Sequence, residues 1–340
     1  MLDAGSRCFA YAKACGIIRK SFVGKRISAL ADIHSLNEFE RSLFPVSRDL
    51  PGEELLVDLE KRIIERTIKH ITSIIVSYEK PPLLVHLLRS YEYSDLKTCL
   101  HYIDAGKKEA PPVCGIGTFQ SINFNEYPDI PKMLENCELK NLQSLKRGKV
   151  TDSVETETEI DRFYYQSLKD KLLELSNEDR IIAQILIADE ISIKNCIWAF
   201  RLRSYFQKTA EETRKYLMDI SMPIPGGRKE VSLLDEALKS LDYQLDMSSE
   251  WKSWKWEKLL NPESASQYWS VDAKYFQNAA SKYLYHRTWR YFRRMPMSVS
   301  MVYCFIKLKQ FEEDILTSII EGIGLGMSSN DVLGMLEIAA

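Results

Sequence analysis

The sequence predicts an all-α protein, and three observations carry that prediction. Apolar residues recur at helical spacing along nearly the whole chain, strand-like alternation is almost missing, and proline and serine–acid pairs punctuate the periodic runs. Leu56, Leu59, Ile63, Ile64, Ile68, Ile71 and Ile75 step by three, four or one, as one face of a long helix does. Ile160, Phe163, Tyr164, Leu168 and Leu172 repeat the pattern, and so do Ile181, Ile182, Ile185 and Leu186. Pro81-Pro82 opposes helix at and just before position 81, because proline lacks an amide donor and restricts the residue before it. Ser176 with Asp179, and Ser328 with Asp331, fit capping boxes in which an oxygen side chain satisfies free amides of the first turn. Three stretches are expected to be connectors: 106–131, rich in Pro, Gly and Asn; 147–158, acidic and polar; and 221–232, SMPIPGGRKEVS.

The spacing of these connectors prompts a search for repeats. Ala12-Lys13-Ala14-Cys15, Leu96-Lys97-Thr98-Cys99 and Ile193-Lys194-Asn195-Cys196 echo one another. Each is followed by a glycine and a short pattern: Gly24…Ile27-Ser28-Ala29-Leu30, Gly117…Phe119-Gln120-Ser121-Ile122 and Gly227…Val231-Ser232-Leu233-Leu234. A charged residue before a leucine then recurs at Glu38…Leu43, Glu138…Leu142 and Glu257…Leu260, and Glu312-Glu313-Asp314-Ile315-Leu316 forms a last copy without the lysine. The common order of these echoes predicts three tandem helical domains, 1–115, 116–222 and 223–340, the last with closing C-terminal helices. Similar units arranged around an axis enclose a concavity. Lys194 and Asn195, which interrupt an apolar helix, are expected to serve a helix or domain junction rather than a reaction.

Composition narrows the function. The chain has 340 residues, 45% of them hydrophobic, which suffices for sizeable cores, and its net charge of −2 steers it toward neither nucleic acid nor an anionic membrane. The run IIAQILIA at 181–188 is far shorter than the roughly 20 residues of a membrane helix. MLDAGSRCFAYAK lacks the order of a signal peptide, so an intracellular location is expected. Cys8, Cys15, Cys99, Cys114, Cys137, Cys196 and Cys304 are odd in number and form no C-x-x-C, which predicts reduced thiols rather than a disulfide framework or zinc site.

The reactive residue types form no catalytic pattern. His34, His70, His86, His101 and His286 make no H-E-x-x-H, and His70 follows Ile64 and Ile68 on a helix, as a structural histidine does. Gly322, Gly324 and Gly326 resemble a phosphate-binding loop but follow a helix, where a dinucleotide fingerprint follows a strand; a helix C-cap and turn is expected there. Gly24-Lys25-Arg26 lacks the upstream glycine and the hydroxyl residue of a Walker loop. Arg287, Arg290, Arg293 and Arg294 lie among aromatics, as in nucleic-acid binders, yet Arg287, Arg290 and Arg294 are spaced as the polar face of a helix. Trp251, Trp254 and Trp256 are expected to pack short helices, with a partner anchor as the alternative. No catalytic, cofactor-binding or metal-binding residue is assigned.

The residues that carry a family resemblance are Phe9-Ala10-Tyr11-Ala12, the helix start Asp161-Arg162-Phe163-Tyr164-Tyr165, Ile193-Lys194-Asn195-Cys196…Arg201, the turn Ile224-Pro225-Gly226-Gly227 and Ile319-Ile320-Glu321-Gly322. Their order and spacing resemble the C subunit of bacterial and archaeal V/A-type ATPases, called the d subunit in vacuolar ATPases. The chain departs from the family at Glu312-Glu313-Asp314-Ile315-Leu316, where a Glu-Ile-basic-Asn-Leu run is usual, and at Thr98, where an Asn is expected. The resemblance implies a funnel of three similar helical domains, with no cofactor and no catalysis of its own. It implies a place on the cytoplasmic face of the membrane, bound to the proteolipid ring and to the central-stalk subunits, with torque passing between them for ion transport or ATP synthesis. Lys107, Lys108, Arg201 and Arg203, basic residues at the ends of repeated helices, are the expected partner-interface residues, since cations there offset helix dipoles. The alternative is a generic α-helical scaffold binding another protein.

Overall fold

The computed structural model describes residues 4–48, 50–78, 81–146, 153–225, 227, 229–263 and 268–336. In chain order the helices are α1 (Ala4–Lys20), α2 (Leu36–Leu43), α3 (Gly52–Ser77), α4 (Pro82–Asp104), α5 (Ile130–Met133), α6 (Gln143–Lys146), α7 (Ser153–Leu173), α8 (Asn177–Ser204), α9 (Ala210–Arg214), α10 (Asp235–Asp242), α11 (Ala273–Phe292), α12 (Val299–Gly324) and α13 (Ser329–Leu336). Two three-residue strands, β1 (Ser221–Pro223) and β2 (Glu230–Ser232), pair antiparallel with Met222 opposite Val231. The all-α prediction is met, and the hairpin is too short to have left a two-residue period in the sequence.

The helix boundaries follow local chemistry. Pro82 occupies the first position of α4, where a missing amide donor costs nothing, and Pro81 precedes it as the cap. The Ser176 hydroxyl accepts from the Asp179 amide at 3.3 Å to start α8, and the Ser328 hydroxyl accepts from the Asp331 amide at 3.1 Å before α13. At the end of α12, Gly326 takes a φ of 80° and the Met327 amide returns to the Gly322 carbonyl at 2.9 Å. Gly322 to Gly326 are thus a helix end and a turn, as their position after a helix implied.

One expected connector is helical over part of its length. Positions 147–152 lie outside the described residues, whereas 153–158 form the first turns of α7. The alternating T-E-T-E run works as a helix start because Glu155 favours the positive end of the dipole. Thr158 satisfies its own hydroxyl on the Val154 carbonyl at 2.8 Å, and Thr156 and Ile160 turn the same face to the core.

The described chain forms two compact units. Unit 1 comprises Met1–Lys171 with Tyr291–Ala340, and unit 2 comprises Leu172–Arg290. The breaks fall inside α7 and α11, because α12 brings the C-terminal segment back against α3, its main neighbour, and against α1, α2, α4 and α13. Helix α12 is buried on every side from Val299 to Phe305, as the central helix of a bundle must be. A second cluster in unit 1 gathers Leu96, Cys99 and Leu100 of α4 with Met133, Cys137, Leu139 and Ile160. Unit 2 is built around α8, whose Cys196, Ala199 and Phe200 pack on Ala237, Trp251, Trp254 and Phe276.

Candidate functional site

Three long helices each carry one buried polar group that holds a loop by its backbone. On α4, the Glu92 carboxylate, 1% exposed, accepts from the Ser121 amide at 2.5 Å, from the Ser121 hydroxyl at 2.9 Å and from the Ile122 amide. On α8, the Asn195 amide group accepts from the Met218 amide at 2.8 Å and donates to the Met218 and Leu233 carbonyls at 3.0 and 3.4 Å. On α12, Glu312 accepts from the Phe22 amide at 2.8 Å and pairs with Lys309, which also donates to the Ser21 hydroxyl at 3.1 Å. Arg66 lies 3.8 Å from the same carboxylate. Buried backbone amides need a partner, so each of these groups fixes a segment that would otherwise be free to slide.

Two of the glycine-led echoes, at Ser121–Ile122 and Leu233, are thus anchored segments, and the first is held two residues ahead of Gly24, at Phe22. Helix α12 serves the first loop, so the lysine-less copy at Glu312 has a working role. The lysines of the echoes do something else: Lys13 donates to the Ser73 carbonyl at 2.8 Å, and Lys97 pairs with Asp161 at 2.8 Å. Thr98, aligned with Asn195 by the echo, is exposed, and Glu92 does the corresponding work. A sequence signal for Glu92 does exist. Leu84, Leu88, Glu92, Leu96 and Leu100 step by four, and the glutamate stands in phase with a buried leucine stripe.

The four expected interface residues divide between the units. Lys107 and Lys108 are exposed in unit 1 just beyond α4, with the Lys107 ammonium 4.1 Å from the centre of the Tyr102 ring. Arg201 and Arg203 occupy the last turn of α8 in unit 2 and are half-buried. Arg201 donates to Gln277, and Arg203 donates to the Ser240 and Tyr243 carbonyls at 2.5 and 3.0 Å. Those carbonyls lie at the C-terminal end of α10, so Arg203 satisfies the open end of a neighbouring helix within its own unit. Directly after α8, Tyr205 and Phe206 are 61% and 66% exposed, and Gln207 adopts φ of 49°. The Lys208 amide closes this turn on the Leu202 carbonyl at 3.0 Å. Sequence reasoning missed this exposed aromatic pair, although it stands in the run Arg201-x-Arg203-x-Tyr205-Phe206 beside the expected interface arginines.

The other patches have internal explanations. Trp251, Trp254 and Trp256 are at most 4% exposed, and their indole N–H groups reach the Gln244 and Glu236 carbonyls and the Ser192 hydroxyl. They pack the core of unit 2, as expected of them. Arg287 pairs with Asp189, which Lys255 also approaches at 3.4 Å, while Arg290, Arg293 and Arg294 are exposed. His70 is half-buried, and burial together with Lys309 and Arg66 pushes its pKa down to about 4, so it is neutral at pH 7. Among the described residues no group of His, Cys, Asp and Glu is placed to hold a metal ion, and no helix is long and apolar enough to cross a membrane.

A cavity of about 330 Å³ opens in unit 1 between α3, α4 and α12. Tyr91 and Asp95 of α4 and Lys307, Glu313 and Asp314 of α12 face it, with Cys114 from the following loop. The Tyr91 hydroxyl donates to Glu313 at 2.8 Å, and Asp95 accepts from the Cys114 amide at 2.9 Å.

Comparison with known proteins agrees with this architecture. The family model described as ATP synthase (C/AC39) subunit matches residues 25–335. A protein of Treponema pallidum (strain Nichols), described as an uncharacterized protein, is 23% identical over 322 residues, covering 94% of this chain and 92% of its own length. With an all-α chain matched over nearly its full length, the conclusion is that it belongs to the ATP synthase (C/AC39) subunit family, whose members are subunits of V/A-type ATPases.

Proposed function

We propose that the chain is a non-catalytic coupling subunit of a V/A-type ATPase. In this reading it links the central stalk to the membrane proteolipid ring on the cytoplasmic face and passes torque between them, for ion transport or ATP synthesis. Its domains, 1–115, 116–222 and 223–340, are similar units set about a funnel-like cavity that receives the stalk. The observation that carries the reading is the family match over residues 25–335. The internal construction is consistent with it. A coupler must not store rotation as bending, and helices of 23 to 28 residues whose loops are held by Glu92, Asn195 and Glu312 suit that demand.

Within that reading, Lys107, Lys108, Arg201 and Arg203 contribute to the partner surface, and the exposed Tyr205 and Phe206 extend it. Aromatic and basic side chains carry much of the energy at protein interfaces. The test is co-expression with the stalk and ring subunits. The chain should co-purify with both, and its removal should uncouple ATP hydrolysis from ion pumping. A chain that sediments alone and leaves pumping unchanged refutes the coupling role and favours a general scaffold. For the surface, Lys107→Glu/Lys108→Glu is the cleaner charge reversal, because Arg203 also holds α10. Loss of assembly by a folded double variant supports the assignment, and unchanged assembly removes it.

A further inference from the structure

Glu313 stands where three helices of unit 1 meet. Its carboxylate accepts from the Tyr91 hydroxyl of α4 at 2.8 Å, Thr67 of α3 stands beside it, and its own backbone belongs to α12. Asp95 and Asp314 share the same recess, so three carboxylates face one cavity of about 330 Å³. We propose that Glu313 is a proton-responsive tie, whose ionisation state sets how firmly α12 is held against α3 and α4.

The electrostatics of the recess support this. Burial pushes the Glu313 carboxyl up, Asp314 beside it adds to the rise, and the Tyr91 bond, the nearby Thr67 and the Lys309 charge only partly offset it, leaving a pKa of about 7. Burial also pushes Asp95 up to about 6, whereas Asp314 is exposed to solvent and acts on Glu313 as a neighbouring negative charge. Tyr91 is pushed upward by burial and by Glu313, so it stays a hydrogen-bond donor throughout. The groups facing Glu313 come from every packed element. Lys307 and Lys309 lie on α12, Asp95 lies on α4, and Lys61 and Glu65 of α3 act at the Cys114 end. As pH falls from 8 to 6 the recess therefore gains protons, at Glu313 first.

The sign follows from linkage. A carboxyl whose folded-state pKa lies above its ordinary 4.5 contributes stability that is fully present below 4.5 and is lost as pH rises through about 7. From Glu313 alone, the folding equilibrium of unit 1 should favour the folded state about tenfold more at pH 6 than at pH 8. Helix α12 is thus held most firmly on the acid side of neutrality and loosened on the alkaline side.

The test uses the isolated full chain, so it stands or falls independently of the coupling role. Carboxylate ¹³C NMR of glutamate-labelled protein should show one resonance titrating at about 7 that disappears in Glu313→Gln. Denaturant unfolding should show the difference between pH 6 and pH 8 in the native chain and a loss of about tenfold of it in Glu313→Gln. Tyr91→Phe, which removes a donor to the charged form, should move the midpoint upward by roughly half a unit or more. A loss of packing alone would not move that midpoint. The inference is overturned if Glu313 titrates near its ordinary 4.5, if Glu313→Gln keeps the whole pH response, or if Tyr91→Phe leaves the midpoint in place.

Discussion

Lys309 and Glu312 are each 1% exposed, so deleting one charge strands the other in the core of unit 1. Lys309→Met preserves the apolar stem but leaves Glu312 with only the Phe22 amide and with Arg66, 3.8 Å away and 22% exposed. Breaking a buried pair in this way costs about 3–5 kcal/mol. Arg66 recovers part of that, so we expect about 3 kcal/mol, or a fall in Tm of roughly 6–12 °C for a unit of this size. In Lys309→Met/Glu312→Gln both charges are gone and the Gln carbonyl still accepts from Phe22, so the cost should be only about 1 kcal/mol. Far-UV circular dichroism during denaturant unfolding at pH 7 follows the helices of both units, and the fluorescence of the six tryptophans, all between residues 198 and 289, follows unit 2, so a shift seen by dichroism and not by fluorescence belongs to unit 1. A single variant costing under about 1 kcal/mol refutes the reasoning, and so does a double variant that is worse than the single. The pH dependence has a definite sign. Burial would raise the Glu312 carboxyl, but Lys309, Arg66 and the Phe22 amide hold it below its ordinary value. Its stabilisation is present above the ordinary carboxylate range and is lost as pH falls through the folded value, so the deficit of Lys309→Met should shrink in acid.

Three further outcomes are expected. A Cβ on Gly322 would meet Val332 Cγ2 at 2.3 Å, and a β-branched neighbour has little freedom to yield, so Gly322→Ala should cost about 1–3 kcal/mol by thermal unfolding and release α13 to proteolysis. Gln207→Gly should raise stability by about 0.5–1 kcal/mol, because φ of 49° strains any residue with a Cβ; an unchanged Tm would count against that strain. Asn195→Ala leaves the Met218 amide and the Met218 and Leu233 carbonyls without their partner, and should cost about 2–3 kcal/mol in the transition followed by tryptophan fluorescence, with no such loss in unit 1.

Much of the secondary structure is legible in the sequence because helices declare themselves locally. The stripe from Leu56 to Ile75, the stop at Pro81-Pro82, the caps at Ser176 and Ser328 and the turn at Gly326 all depend on residues within a few positions of one another. The acidic run after Ser153 reads as a connector because its helix depends on Thr156 finding a core to face, and no neighbouring residue reveals that core. The interface residues show the same limit. Arg203 reads as a solvated helix end, yet its guanidinium is engaged by α10, 37 and 40 residues away.

By itself the sequence determined the all-α class, the helix ends and the order of motifs that marks the family, since each rests on short-range periodicity or on residue identity. Tertiary structure alone decided which polar groups became anchors. Glu92 and Glu312 look like ordinary charged residues until Ser121, Ile122 and Phe22 are brought to them across 29, 30 and 290 residues. It also placed Glu313, Asp95 and Asp314 in one recess, where burial raises Glu313 and Asp95 and the Asp314 charge raises Glu313 further. A carboxylate's proton affinity is set by the charges and solvent around it in space, and those neighbours exist only once α3, α4 and α12 have packed.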